Sequence, residues 1–203
     1  MNDNFYGMKN IKVFGLEDSI KASKYPMSVD VDKCNSEITN TTRKLGNVQT
    51  GTGHDNFLKG IVVQFDLTFT PKMSVELERY HFIDFVSSQS TMHRITKFDL
   101  DKSYIKYVDE RCIDVIKELV EEYNNLPEAF TESEIKYKDD LYLKILYTNP
   151  CGMLLTARLT TNYQQLKTIY QQRRYHRLPE WQDFCKQIEL LPKFKELAID
   201  NMI

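Results

Sequence analysis

The chain has 203 residues, 41% hydrophobic and 28% charged, which suits one soluble domain; its net charge of −2 excludes a global basic field, so any anion site must be local. Cys34, Cys112, Cys151 and Cys185 lie far apart with no CxxC pair, which argues against a disulfide framework or zinc site and for a reducing, cytoplasmic setting. The start, MNDNFYGMKN, lacks the apolar run of a signal peptide, and no 18 consecutive residues are apolar, so no membrane partner is expected.

In chain order, IKVFGL from Ile11 reads as a short strand. Asp30 to Leu45 is expected to be helical, with Val31, Cys34 and Ile38 at helical spacing. GNVQTGTGHDN, Gly46 to Asn56, holds three of only seven glycines and marks a loop. IVVQFDLTF from Ile61 alternates strictly: Val63, Phe65, Leu67 and Phe69 face one way, Gln64, Asp66 and Thr68 the other. This predicts a half-buried strand. Thr70-Pro71 starts a helix whose stripe of Met73, Leu77 and Tyr80 is extended by Phe82 and Phe85, so the helix is expected to end near Phe85. SSQSTMHR, Ser87 to Arg94, then follows as a loop.

Asp109 to Tyr123 has the strongest helical period, through Cys112, Val115, Ile116, Leu119, Val120 and Tyr123. LYLKILYT from Leu141 reads as a strand and GMLLTARLTT from Gly152 as another. Asn162 caps a helix carrying Leu166, Ile169 and Tyr170, and LPEWQDFCKQI from Leu178 begins the last helix. The order predicts an α+β or mixed α/β fold, in a single domain over residues 1–203.

Three stretches could carry chemistry. SSQSTMHR brings four hydroxyls and ends in Arg94, a mixture suited to a phosphate; the competing reading is a solvated connection. Gln171 to Trp181, QQRRYHRLPEW, places three arginines and a histidine within five residues, beside the only tryptophan. That could bind single-stranded nucleic acid, but a positive helix C-terminus explains the charge better, so a nucleic-acid partner is not expected. GTGHDNFLKG lacks both GxGxxG and a GK[ST] ending and reads as a mobile loop. HExxH, GxSxG and the zinc-deaminase pattern are missing, and His54, His81, His93 and His176 have no i,i+4 pairing, so no metal is expected.

Taken together, these stretches resemble the flavin-dependent thymidylate synthases, whose signature is RHRxxSxxExSxR. Aligned on its first Ser and last Arg, the signature falls on Phe82 to Arg94, with Ser87 at the first Ser, Ser90 at the Glu, Met92 at the second Ser and Arg94 at the last Arg. GTGHDNFLKGIVVQFDLTF is similar to the family's Gly-His loop leading into a strand. NYQQLKTIYQQR has the family's Asn, Leu and Arg at Asn162, Leu166 and Arg173, and PEWQDF resembles its QWE helix start. The resemblance covers roughly Gly53 to Ile188.

The resemblance implies a mixed α/β fold with a central antiparallel-rich sheet and flanking helices. It implies a dUMP-type pyrimidine deoxynucleotide as substrate, with Arg79, Ser87, Gln89, Ser90, Thr91 and Arg94 on the nucleotide and its phosphate. Arg173 would contact the uracil and stabilise it as an anion, the catalytic role. FAD and methylenetetrahydrofolate would be the cofactors, with His54 and Asn162 on the flavin side, in a homotetramer whose sites are shared between subunits. Such an enzyme needs no protein nucleophile, because the flavin relays the one-carbon unit to C5 of the uracil.

The flavin half departs from the pattern. Phe82, Ile83 and Asp84 stand at RHR, Lys59-Gly60 at the family's Glu-His, Gln164 at an Arg and Thr168 at a flavin-contacting His or Asn. Arg79-Tyr80-His81 could replace the triplet only with a three-residue insertion, which a helix would turn by about 300°. The alternative function is therefore a nucleotide-binding or regulatory homologue without flavin chemistry.

Overall fold

The computed structural model describes residues 6–202. Four strands, β1 (Gly7–Phe14), β2 (Val62–Phe69), β3 (Asp84–Ser88) and β4 (Leu155–Asn162), form an antiparallel sheet in the order β1-β2-β4-β3. Around them lie α1 (Leu16–Ala22), α2 (Asn40–Gly46), α3 (Pro71–Leu77), α4 (Thr91–Arg94), α5 (Glu110–Asn125), α6 (Glu132–Thr148), α7 (Tyr163–Arg173) and α8 (Pro179–Ile188). The mixed α/β class expected from the sequence is the one found. Contacts divide the described chain into two compact units, one of Tyr6, Thr68–Ser74 and Ser88–Thr156, the other of Gly7–Leu67, Val75–Ser87 and Ala157 onward.

The alternation in β2 is realised as written: Val63, Phe65, Leu67 and Phe69 are buried, while Gln64, Asp66 and Thr68 are half-buried. Tyr163 N donates to Ile61 O at 3.0 Å at one end of the β2–β4 pair, and the Thr68 and Thr156 hydroxyls meet at 2.8 Å at the other. In the second unit the core takes in Leu166 and Ile169 of α7 with Trp181 and Phe184 of α8, and Phe65 meets Phe184 at 5.8 Å between ring centroids. Asn162 caps α7 by accepting from Gln165 N at 2.9 Å.

The first unit is built on α5 and α6. Ile116, Leu119 and Val120 of α5 pack with Leu141 and Ile145 of α6 around Ile95, Tyr104 and Met153. LYLKILYT is therefore helix, not strand. Its start lies upstream, in a capping box in which Thr131 and Glu134 bond each other's backbone N–H groups. From there the helix runs for 17 residues without Gly or Pro, and burial follows the i,i+4 pair Leu141 and Ile145 while Leu143 and Tyr147 are exposed.

Two more expectations are corrected. The segment Asp30–Leu45 is not one helix but a single 3-10 turn, Val31–Lys33, followed by extended chain and α2. Asn35 Oδ1 accepts from Glu37 N at 3.2 Å, a local bond that competes with helix, and Thr39 starts α2 afresh with its own capping box. The helix expected to reach Phe85 stops at Leu77, and residues 84–88 join the sheet edge instead. Thr161 Oγ1 donates to Phe82 O at 2.6 Å, and Gln89 N donates to Thr156 O at 2.9 Å, so the ladder satisfies backbone groups that a longer helix would have used. SSQSTMHR is accordingly not a loop: Ser87 and Ser88 end β3, and Thr91 to Arg94 form α4.

In the second unit Lys167 of α7 is fully buried. Its Nζ donates to Asp55 Oδ2 at 2.8 Å, Gly46 O at 2.8 Å and Val48 O at 2.6 Å, and Asp55 is equally buried. Gln164 Nε2 adds a bond to Asp55 Oδ1 at 2.8 Å. The glycine-rich stretch is thus anchored to α7 through its two ends. Lys167→Met is expected to destabilise the fold by about 3–5 kcal/mol in urea unfolding, because it strands a buried carboxylate. Adding Asp55→Leu is expected to restore only part, because the carbonyls of Gly46 and Val48 remain unpaired.

Candidate functional site

β3 is an edge strand, and all five of its residues are exposed. Ser87 is therefore accessible. Gln89, by contrast, is spent on structure: its Oε1 accepts from Thr156 N at 2.9 Å and prolongs the ladder. Ser90 is the N-cap of α4 without a side-chain bond to it, and Thr91 is half-buried at the first helical position. Arg94 closes this short helix, exposed, with its N–H on Ser90 O at 3.2 Å. α4 is tied to α6 by Tyr142, whose hydroxyl donates to Met92 O at 3.0 Å. Burial raises the Tyr142 phenol, and the charge of Arg94 works against that rise. Among the described residues Arg94 makes no ion pair, so this end offers one available guanidinium with hydroxyls beside it. Such a group can donate to two oxygens of an anion at once.

In the second unit, Arg173 ends α7 in a different environment. Its Nη1 donates to Glu76 Oε2 at 2.6 Å and its Nε to the Tyr80 hydroxyl at 2.8 Å, which in turn donates to Gln172 Oε1 at 2.9 Å. The guanidinium lies 5.1 Å from the Trp181 ring centroid and 5.7 Å from that of Tyr80, both within cation–π range. His176 Nε2 is 3.2 Å from the same Glu76 oxygen. Its Nδ1 accepts from Leu178 N at 3.2 Å, which in the neutral ring leaves the proton on Nε2, the nitrogen beside the carboxylate. Burial raises the Tyr80 phenol despite the opposing bond from Arg173. Burial also pushes the neighbouring Cys185 thiol up to about 12, which keeps this sulfur protonated.

Of the residues singled out from sequence, Arg94, Ser90, Thr91 and Gln89 belong to the first unit, and Arg79, Ser87, Arg173, Asn162 and His54 to the second. Arg79 is exposed on the turn after α3, and His54 is exposed in the glycine-rich stretch. Sequence reasoning missed Glu76 and Tyr80 as partners of Arg173. Glu76 is 97 positions away and carries no local mark beyond lying off the apolar stripe of α3. Trp181 is fully buried, so it presents no stacking face to a nucleobase.

The residues at the family's flavin positions do not fit a dinucleotide diphosphate. Ile83 is buried, Phe82 is exposed, and Asp84 is an exposed carboxylate that would repel it. Gln164 is committed to Asp55, Asn162 to capping α7, and Thr168 Oγ1 to Gln164 O at 3.2 Å. Because α3 ends at Leu77, helical geometry no longer obstructs Arg79-Tyr80-His81 as a substitute triplet, but its central residue is the buried Tyr80. Among the described residues no cluster of three His, Cys, Asp or Glu could hold a metal, and no helix is long and apolar enough to cross a membrane.

No family model matches the sequence, and no curated protein matches it. Solved structures do. The flavin-dependent thymidylate synthase ThyX from Helicobacter pylori, complexed with FAD and dUMP, is similar with a TM-score of 0.66 at 16% identity, over 95% of this chain and 99% of that one. A second structure of that organism's thymidylate synthase X with FAD and dUMP gives 0.67 at 14% identity, over 97% of this chain and 98% of the other. The likeness is one of backbone architecture, and it spans both units. By this measure the chain has the fold of the flavin-dependent thymidylate synthases.

Proposed function

We propose that the chain binds a pyrimidine deoxynucleoside monophosphate of the dUMP type, with Arg94 on the phosphate and Arg173 on the base. The observation that carries this reading is the exposed Arg94, without an ion pair among the described residues, at the end of a hydroxyl-bearing strand-to-helix junction, in a chain with the fold of proteins whose structures hold dUMP. Ser87, Ser90 and Thr91 supply neutral hydrogen bonds, Arg79 an outer polar contact, and Gln89 holds the backbone of the junction in place. In the enzymatic form of this reading the chain is a thymidylate synthase-like transferase. Methylenetetrahydrofolate would give the one-carbon unit and a reduced flavin the hydride that brings it to a methyl group, while Arg173 would stabilise negative charge on the uracil.

The non-catalytic form has its own support. The flavin positions carry Phe82, Ile83 and Asp84, and Asn162 and Gln164 are engaged in structural bonds. FAD-dependent thymidylate synthesis is accordingly expected to be weak or absent: the purified protein should retain no flavin absorbance after FAD is added and unbound flavin is removed, and it should not rescue a thymidine-requiring bacterium. Rescue would establish the enzymatic form.

The chain is also proposed to be a homo-oligomer, a tetramer by resemblance. Phe82, Phe85 and Val86, on and beside the edge strand β3, are 61%, 42% and 60% exposed, apolar surface that a second copy would cover. Light scattering should find an oligomer at micromolar concentration, and Val86→Glu should shift it towards monomer. Calorimetry tests the nucleotide. Charge-assisted bonds are worth about 1.5–3 kcal/mol each, so Arg94→Ala should weaken dUMP binding by about tenfold or more. Arg94→Lys should recover only part, for want of the two-pronged contact. Melting temperatures without ligand check that the variants are folded, and undiminished binding by Arg94→Ala would leave the junction a solvated connection.

A further inference from the structure

Arg173, unlike Arg94, already has a counter-charge. Its Nη1 is bonded to Glu76 Oε2 at 2.6 Å, and both side chains are largely buried, at 14% and 18% exposure. A carboxylate this close cancels most of the field that the guanidinium would offer an incoming ligand, and at partial burial water screens little of it. A neutral pyrimidine carbonyl is a weaker acceptor than a carboxylate and does not displace it on equal terms. Glu76 also has a second neighbour: Nε2 of His176 lies 3.2 Å from the same oxygen, and Leu178 N, by donating to Nδ1, leaves the proton of the neutral ring on Nε2. If Arg173 turns away, the carboxylate still has that group within reach. The arginine keeps the Trp181 and Tyr80 rings at 5.1 and 5.7 Å. Both sides of the exchange are thus provided for within one unit of the fold.

We propose that Glu76 is a specificity-determining residue, an internal anion that the nucleotide base must displace from Arg173 and that His176 then retains. The inference rests on the reading that Arg173 contacts the base. It makes the arginine selective for ligand oxygens bearing negative charge and lowers affinity for a neutral base.

The test is calorimetric titration of the full chain with dUMP. Glu76→Gln keeps the shape of the side chain and its place beside His176 but offers Arg173 only a neutral acceptor. Affinity is expected to rise roughly fivefold, the scale of a modest ion pair. Arg173→Ala should weaken binding, and in the double variant Glu76→Gln with Arg173→Ala the gain should vanish. A structural role for Glu76 predicts the opposite sign, because loss of a positioning contact weakens binding. Unchanged or weaker binding by Glu76→Gln, with Arg173→Ala still impaired, overturns the role of Glu76 and leaves the base contact standing. Undiminished binding by Arg173→Ala overturns both. Glu76→Asp, which withdraws the charge by one methylene, decides the matter if Glu76→Gln does not fold: affinity above wild type supports the exchange, and affinity at or below wild type ends it.

Discussion

The buried pairing of Lys167 with Asp55 is the constraint on which the rest of the second unit hangs. A charged amine cannot be taken out of water unless every donor is met, and here one carboxylate and two carbonyls meet all three. The requirement works outward. It fixes where α7 lies against the glycine-rich stretch. By fixing α7 it sets both that helix's capped start at Asn162 and its end at Arg173. A helix held at its middle by an ion pair and at its start by a cap has little freedom to shift its last turn. The position of Arg173 is thus set by residues that never touch it.

The two arginines show how the same side chain serves differently in different surroundings. Arg94 is exposed at the end of a four-residue helix and has no ion-pair partner among the described residues. Arg173 sits among an acid, a phenol and an indole that together cancel and orient its charge. The first is suited to drawing in an anion from solvent. The second is suited to discrimination, because contact with it requires an exchange of partners.

Much of the fold could be read from local pattern, and the failures have identifiable causes. β2 was legible because one face is buried, so period two is written into the sequence; β3 was not, because all five residues are exposed and no burial pattern exists to read. The stripe of Met73, Leu77 and Tyr80 continued into Phe82 and Phe85, and nothing local announced that the chain would leave the helix for the sheet edge. LYLKILYT satisfies both period two and period 3.6 over its length, and the deciding signal, the capping box at Thr131 and Glu134, lies outside it. At the candidate site, Arg94 and Arg173 were singled out by their place in motif order. Glu76 could not be, because pairing across 97 residues leaves no trace in spacing. Lys167 carries no mark in spacing either, because its partner Asp55 lies 112 positions away.

Trp181 gives the cluster around Arg173 an optical voice. It is the only tryptophan in the chain, it is fully buried, and a guanidinium lies over its ring at 5.1 Å with Tyr80 and His176 edge-on at 6.0 and 6.5 Å. Indole emission is sensitive to the electric field along its long axis and to nearby quenchers. All tryptophan fluorescence from this protein therefore originates beside the one arginine whose partners are in question. Any rearrangement of that arginine changes the colour or yield of the emission without a label being introduced. The wavelength of the light this protein gives off is, in effect, a reading of the charge next to its indole.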